Sequence, residues 1–133
     1  RVESGQTLYL AAGAVLRGRV LVSNASNVTI CGRGIILNDF TTSDGYDSVA
    51  LTLKNSSNVT IKDVTILRNS ASWSAFMWKC GNVSVENVKI LNPKYACSDG
   101  FDIANSHDVT FNNLFIRSCD DSIAIKGTGN HGY

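Results

Sequence analysis

The chain has 133 residues and a formal net charge of +1, from 12 basic and 11 acidic side chains. This length suits a single domain with one continuous core. The balanced charge gives no field that would attract nucleic acid or an anionic membrane, and no apolar run approaches the roughly 20 residues of a membrane helix. We therefore predict one domain over residues 1–133, with neither nucleic acid nor a membrane as partner.

The first predicted strands form a less regular unit near the start of the chain. They are Thr7-Leu8-Tyr9-Leu10 and Val15-Leu16-Arg17-Gly18.

A motif of Asn or Asp, Val, a hydroxyl residue and an apolar residue then occurs four times, starting at residues 27, 58, 82 and 108. Each of the last three copies is followed by a second apolar pair. A third short strand belongs to each unit: Leu51-Thr52-Leu53, Phe76-Met77-Trp78, Phe101-Asp102-Ile103 and Ile123-Ala124-Ile125. A motif that returns at a nearly fixed period indicates a repeat architecture.

Apolar and polar residues alternate within each unit, which is typical of strands with one buried face. Three strands per turn of ~25 residues predict an all-β fold, a parallel β-helix of about four to five coils in which Val stacks on Val and Ile on Ile. The Asn or Asp before each Val tolerates left-handed backbone and suits a corner, where stacked side chains can bond between coils. A β-sandwich is the alternative, but it does not explain the recurrent motif.

Four aspartates come together when the third strands of the last two units are aligned. Asp99 then lies beside Asp121, next to Asp120, and Asp102 points outward on the same face. Like charges this close repel, so one of the carboxyls should have a raised pKa. Glycoside hydrolysis needs a protonated carboxyl near an ionised one. Spacing alone favours catalysis but leaves calcium ligation and a solvated acidic turn open.

Two segments at these aspartates resemble the motifs of glycoside hydrolase family 28, the polygalacturonases and their relatives. Ser98-Asp99-Gly100-Phe101-Asp102 is similar to the family's Asn-Thr-Asp-Gly-x-Asp motif. Cys119-Asp120-Asp121-Ser122-Ile123-Ala124-Ile125-Lys126 is similar to its Asp-Asp-Cys-x-Ala-Ile-Lys segment. The resemblance extends from about Thr7 to Lys126 and implies the right-handed β-helix of the pectin lyase-like proteins.

The resemblance also implies an activity, namely hydrolysis of α-linked polysaccharide, most often galacturonan, with inversion and without a cofactor or metal. Asp120 would be the general acid, and Asp99 and Asp121 would activate the water. Asp102 would be a supporting carboxylate and Lys126 a wall of the cleft, and both are assigned to substrate binding. Stacked Asp99 and Asp121 would lie ~5 Å apart, a spacing that usually indicates retention. We follow the family and predict inversion.

The chain departs from the family pattern at several positions. Cys97 and Ser98 stand where the family usually has Asn and Thr, and Ser122 replaces a Cys. The family's Gly-His-Gly and Arg-x-Lys motifs would follow Tyr133, since His131 comes too early and is interpreted as loop. We therefore expect a fragment truncated at both ends and inactive alone, from a monomeric, secreted or periplasmic parent.

Other residues carry weaker expectations. Trp78 is expected in the core, in line with Ile103, whereas Trp73 could line a cleft or pack in its loop. Cys97 and Cys119 would be close enough for a disulfide if stacked. Three lysines are expected to align at the ends of the third strands: Lys54, Lys79 and Lys126.

Three functions remain in competition. The first is hydrolysis of galacturonan or a related pectic chain, and the second is hydrolysis of a neutral α-glucan by a dextranase- or isopullulanase-like relative. The third is a non-catalytic carbohydrate-binding β-helix. The four clustered carboxyls disfavour the third, because a binding scaffold has no use for side chains that repel each other.

Overall fold

The computed structural model describes residues 1–39, 49–69 and 72–127, so His131 lies outside the described residues. Within these ranges the chain forms short strands and no helix, and hence no helix that could cross a membrane. The strands are β1 Thr7–Tyr9, β2 Val15–Arg17, β3 Val20–Ser23, β4 Ser26–Cys31, β5 Ile35–Asn38, β6 Leu51–Lys54, β7 Ser57–Lys62, β8 Thr65–Arg68, β9 Ala75–Trp78, β10 Gly81–Glu86, β11 Lys89–Leu91, β12 Phe101–Ala104, β13 His107–Asn112, β14 Phe115–Arg117 and β15 Ile123–Lys126.

Successive strands join three parallel sheets in turn. The first sheet has the order β1-β4-β7-β10-β13, the second β14-β11-β8-β5-β2 and the third β15-β12-β9-β6-β3. Every third strand therefore stacks on its predecessor one coil away. This topology is the parallel β-solenoid predicted from the repeat, and the irregular first unit supplies β1 and β2.

The interior is a set of apolar columns. In the first sheet Val28 pairs with Val59, Val59 with Val83 and Val83 with Val109. Almost all of the surface of these side chains is removed from water, except in the last coil, where Val109 is only partly buried. Burying a Val, Leu or Ile side chain contributes about 1.5–3 kcal/mol, so the stacked columns hold the coils together.

Asparagines turn the corners between the sheets. Asn27, Asn58 and Asn82 have φ values of 57°, 53° and 53°, in the left-handed region that Asn tolerates better than most residues. Their side chains form a ladder, in which Asn58 Nδ2 donates to Asn27 Oδ1 at 3.2 Å and Asn82 Nδ2 donates to Asn58 Oδ1 at 2.8 Å. The predicted corner role and the bonds between coils are both confirmed.

The predicted register of β9 is wrong by one residue. Met77, rather than Trp78, pairs with Leu53 and Ile103 in the core column, and Trp78 pairs with Ala104 at the strand end. The physical reason is that Phe76, Met77 and Trp78 are all apolar, so alternation cannot identify the inward-facing residue.

The same shift changes the expected lysine column. Lys54 and Lys126 do occupy one column, with Trp78 and Ala104 between them. Lys79 lies one residue further on, at the corner, with a φ of 51° and its ammonium 4.5 Å from the centre of the Trp78 ring.

The outer face of the third sheet is unusual because much of it is covered. Thr52, Phe76, Asp102 and Ala124 form its central column. Phe76 is buried in a small apolar cluster outside the main core, and Trp73 and Trp78 pack on this cluster. A dry patch on the outside of the solenoid thus borders the strand that carries Asp102.

Candidate active site

The two aspartate segments lie on adjacent coils, side by side at the start of the third sheet. β12 and β15 pair in parallel, with Phe101 opposite Ile123. The pairing extends backwards along the chain, since Gly100 N donates to Asp121 O at 2.9 Å. The structure therefore places Asp99 next to Asp121, in the register that the sequence predicts.

The four carboxyl groups divide into a buried pair and an exposed pair. Asp99 and Asp102 are only 4% and 0% exposed, whereas Asp120 and Asp121 are both exposed. Asp102 does point to the outer face of its strand, but it lies beneath neighbouring side chains. Asp120 and Asp121 thus form the solvent-exposed side of the site, and Asp99 and Asp102 form its buried floor.

Lys126 joins the buried carboxyls. Its Nζ lies 2.5 Å from Asp102 Oδ1 and 3.6 Å from Asp99 Oδ2. The same ammonium lies 3.8 Å from the centre of the Trp73 ring, a favourable cation–π geometry. The Trp73 ring in turn packs on Phe76, with the ring centres 5.4 Å apart. Lys126 thus bridges the acidic floor and the apolar patch.

The pKa values of both buried carboxyls are raised, and burial is the largest cause, whereas the nearby Lys126 ammonium acts in the lowering direction. Burial raises the pKa of Asp102 to about 7, against the hydrogen bond to Lys126, and the charge of Asp99 raises it further. Burial also raises the pKa of Asp99, whereas a hydrogen bond with Asp102 and the charge of Lys126 lower it. The charges of Asp120 and Asp121 act on Asp99 in the raising direction. The direction agrees with the expectation of a raised pKa within the cluster, but burial, rather than repulsion between the carboxylates, is its largest cause.

The two buried carboxyl groups, Asp99 and Asp102, can hold one proton between them. Asp99 Oδ1 and Asp102 Oδ2 are buried, and neither meets a hydrogen-bond donor among the described residues. A proton held between the two carboxyls would provide that donor and would leave the set with Lys126 electrically neutral. Near neutral pH the site can therefore store one proton in its floor.

Asp120 is held by the backbone of both coils. Its Oδ2 accepts the N–H of Cys97 at 3.2 Å, and its Oδ1 accepts the N–H of Asp121 at 3.0 Å. The Ser118 hydroxyl donates to the Asp120 carbonyl at 2.8 Å. These bonds fix the exposed carboxylate at the seam between the two coils, close to Asp99.

The sequence also allows calcium ligation by the aspartates and a disulfide between Cys97 and Cys119. Among the described residues no group of three or more His, Cys, Asp or Glu side chains could hold a metal ion. All four cysteines, Cys31, Cys80, Cys97 and Cys119, are free thiols, so the structure does not contain a bond between Cys97 and Cys119. Both of these thiols are exposed at the rim of the site.

Gly100 allows the two segments to approach each other. A Cβ added there would lie 2.3 Å from the Ser122 carbonyl oxygen and 2.8 Å from Ile116 Cγ2. We expect Gly100→Ala to lower the free energy of unfolding by about 1–3 kcal/mol, because backbone must move to admit the methyl group. Chemical denaturation measures this change. Gly127→Ala is the control, since a Cβ at Gly127 meets nothing within 4 Å. Equal midpoints for the two variants would contradict the prediction.

Comparison with known proteins supports the architecture and identifies the family. The chain is similar to the crystal structure of a candidate glycosyl hydrolase from Parabacteroides merdae, with a TM-score of 0.76 and 19% identity over 96% of this chain and 70% of that chain. At this identity the likeness shows a shared fold. Among curated proteins no sequence matches the chain. The model of glycosyl hydrolases family 28 matches residues 20–131, which is most of the chain. On that evidence, this chain belongs to glycosyl hydrolases family 28.

Proposed function

We propose that the chain carries the catalytic carboxyls of an inverting, polygalacturonase-like hydrolase of α-1,4-galacturonan or related pectic chains. One observation carries the proposal, namely the register that sets Asp99 beside Asp121 with Asp120 at the same seam. Membership of a glycosyl hydrolase family agrees with this chemistry. The choice of galacturonan rests on the resemblance of the two aspartate motifs.

In this proposal the four carboxyl groups are divided among three tasks, namely protonation of the leaving oxygen, activation of the water and support of the site. Asp120 is exposed and can reach a bound polymer, so it protonates the leaving oxygen. Asp121 and the small exposed part of the Asp99 carboxylate hold the attacking water on the other face of the sugar, and one of the two accepts its proton. The mechanism needs only carboxyl groups and water.

Asp102 and Lys126 support this machinery. Asp102 has no exposed surface, so we assign it to holding Lys126 and Asp99 rather than to touching the polymer. The Lys126 ammonium is engaged with both buried carboxyls and with Trp73, although 36% of its side chain is exposed. Its main role is therefore to neutralise the floor of the site, and any contact with a uronate would be secondary.

The test is hydrolysis by the full-length protein. We expect new reducing ends from polygalacturonate and none from dextran, and proton NMR of the first products should show the inverted β-anomer. Release from dextran alone would favour the neutral α-glucan reading. Release of the α-anomer would contradict the assigned roles, and inactivity on both polymers would favour a non-catalytic binding module.

A further inference from the structure

A buried asparagine lies directly behind Asp99. Asn92 follows β11 and is only 6% exposed. Leu91 pairs with Leu67, so Asn92 stacks beside Arg68, which itself pairs with Asn38 in the coil before. All three polar side chains of this column are buried, but Asn92 is the one at the level of the aspartate motif.

The side-chain amide of Asn92 forms hydrogen bonds through both its nitrogen and its oxygen. Its Nδ2 donates to the carbonyl oxygen of Ser98 at 2.9 Å and to that of Asp99 at 3.0 Å. Its Oδ1 accepts the hydroxyl of Ser74 at 2.7 Å. The N–H of Ser74 also donates to the Asp99 carbonyl at 2.9 Å. Asn92 and Ser74 thus form a closed set of bonds around the backbone of Asp99.

These bonds determine how Asp99 is oriented. The Ser98 carbonyl belongs to the peptide plane before the Asp99 Cα, and the Asp99 carbonyl belongs to the plane after it. One amide group that holds both planes restricts φ and ψ of Asp99 together. Because the side chain leaves from the same Cα, fixing both planes also fixes the direction in which the carboxylate starts.

The Ser98 side chain reinforces the same arrangement. Its hydroxyl donates to the Tyr95 carbonyl at 2.6 Å and accepts the N–H of Cys119 at 3.3 Å. Ser98 is completely buried, so these bonds are shielded from water. Ser98 therefore ties the loop before β12 together internally and links it to the coil after it, whereas the Ser74 N–H bond to the Asp99 carbonyl links it to the coil before.

We propose that Asn92 is a positioning residue that holds the Asp99 carboxylate in its productive orientation toward the attacking water. This inference rests on the proposed function, because it assumes that Asp99 acts on that water. It adds a residue that neither aspartate motif contains.

The test compares Asn92→Ala with Asn38→Ala in the full-length protein. Both changes remove a buried asparagine from the same column, and Asn38 lies two coils away from Asn92. We expect Asn92→Ala to lower kcat on polygalacturonate by about 10- to 100-fold, because a displaced catalytic group loses its alignment. KM should stay within about 2-fold, since ground-state binding is not the interaction removed. Asn38→Ala should lose thermal stability with little change in kcat.

The outcomes separate this inference from the proposed function. Equal kcat values for the two folded variants would overturn the positioning role and leave the proposed function standing. If Asn92→Ala does not fold, Asn92→Asp takes its place, since it keeps the size of the side chain and loses the amide donor. Its kcat is then compared with that of Asn38→Ala, and equal values would again overturn the positioning role. A wild-type protein that hydrolyses neither polymer would overturn both.

Discussion

Replacement of Asp120 with Asn is expected to lower kcat on polygalacturonate by about 10³-fold, the range that a general acid typically provides. The side chain is exposed and the amide keeps its shape, so the fold should persist. Of its two bonds to backbone N–H groups, the amide oxygen can retain one. The loss should therefore appear in the chemical step rather than in stability.

A substrate with an easily departing group makes this test specific to the acid. A nitrophenyl leaving group needs little protonation, so the Asp120→Asn defect should shrink by at least about 10-fold on such a substrate. Asp99 and Asp121 are proposed to activate the water instead. The defects of Asp99→Asn and Asp121→Asn should therefore be similar on both substrates. Asp108→Asn is the control, since that aspartate is exposed at a corner where Asn82 stands one coil earlier. Equal defects of Asp120→Asn on both substrates would refute its assignment as the acid.

The repeat made the solenoid and the aspartate register predictable. Once Val83 is stacked on Val59, the hydrogen-bonded ladder sets the position of every residue between the loops. The pairing of Phe101 with Ile123 then carries Asp99 to Asp121 without any knowledge of side-chain packing. The period-2 alternation and the recurrent motif are properties of the chain, so a sequence reports them directly.

The burial of the floor was not predictable in the same way. Alternation shows that Asp102 faces outward, but not that Lys126 and the apolar cluster around Phe76 would keep water from it. Lys126 reaches Asp102 from a neighbouring coil, and Trp73 comes from a loop with no repeat to locate it. Asn92 was missed because the groups that it holds at the aspartate motif are backbone carbonyls, which leave no mark in a sequence.

Lys126→Met is expected to destabilise the fold by about 3 kcal/mol at pH 8, because it leaves two buried carboxyls without their counter-charge. This value is at the low end for a broken buried pair, since 36% of the Lys126 side chain is exposed. The pKa of Asp102 in the folded protein is already raised to about 7, above the value of about 3.9 in an unfolded chain. Removing the ammonium raises it further.

The cost of Lys126→Met should therefore depend on pH in a defined direction. The folded state holds a proton on Asp102 that the unfolded state has lost, so stability falls with rising pH, by about 1.4 kcal/mol per unit, until the folded pKa is passed. In wild type this fall ends near pH 7, whereas in the variant it continues to higher pH. The two proteins should differ least near pH 5 and most near pH 8, as measured by denaturant unfolding across that range.

Two further variants locate the effect in the carboxyl pair. Adding Asp102→Asn to Lys126→Met removes one of the charges that the lysine balances, and should restore much of the stability at pH 8. Lys54→Met is the matched control, because Lys54 occupies the same column as Lys126 and forms no ion pair with any described residue. If Lys126→Met were no more destabilising at pH 8 than at pH 5, or if Lys54→Met showed the same loss, the buried carboxyls would not be what Lys126 stabilises. That result would also argue against a proton held between Asp99 and Asp102, because the ammonium would not be coupled to the ionisation of the two carboxyls.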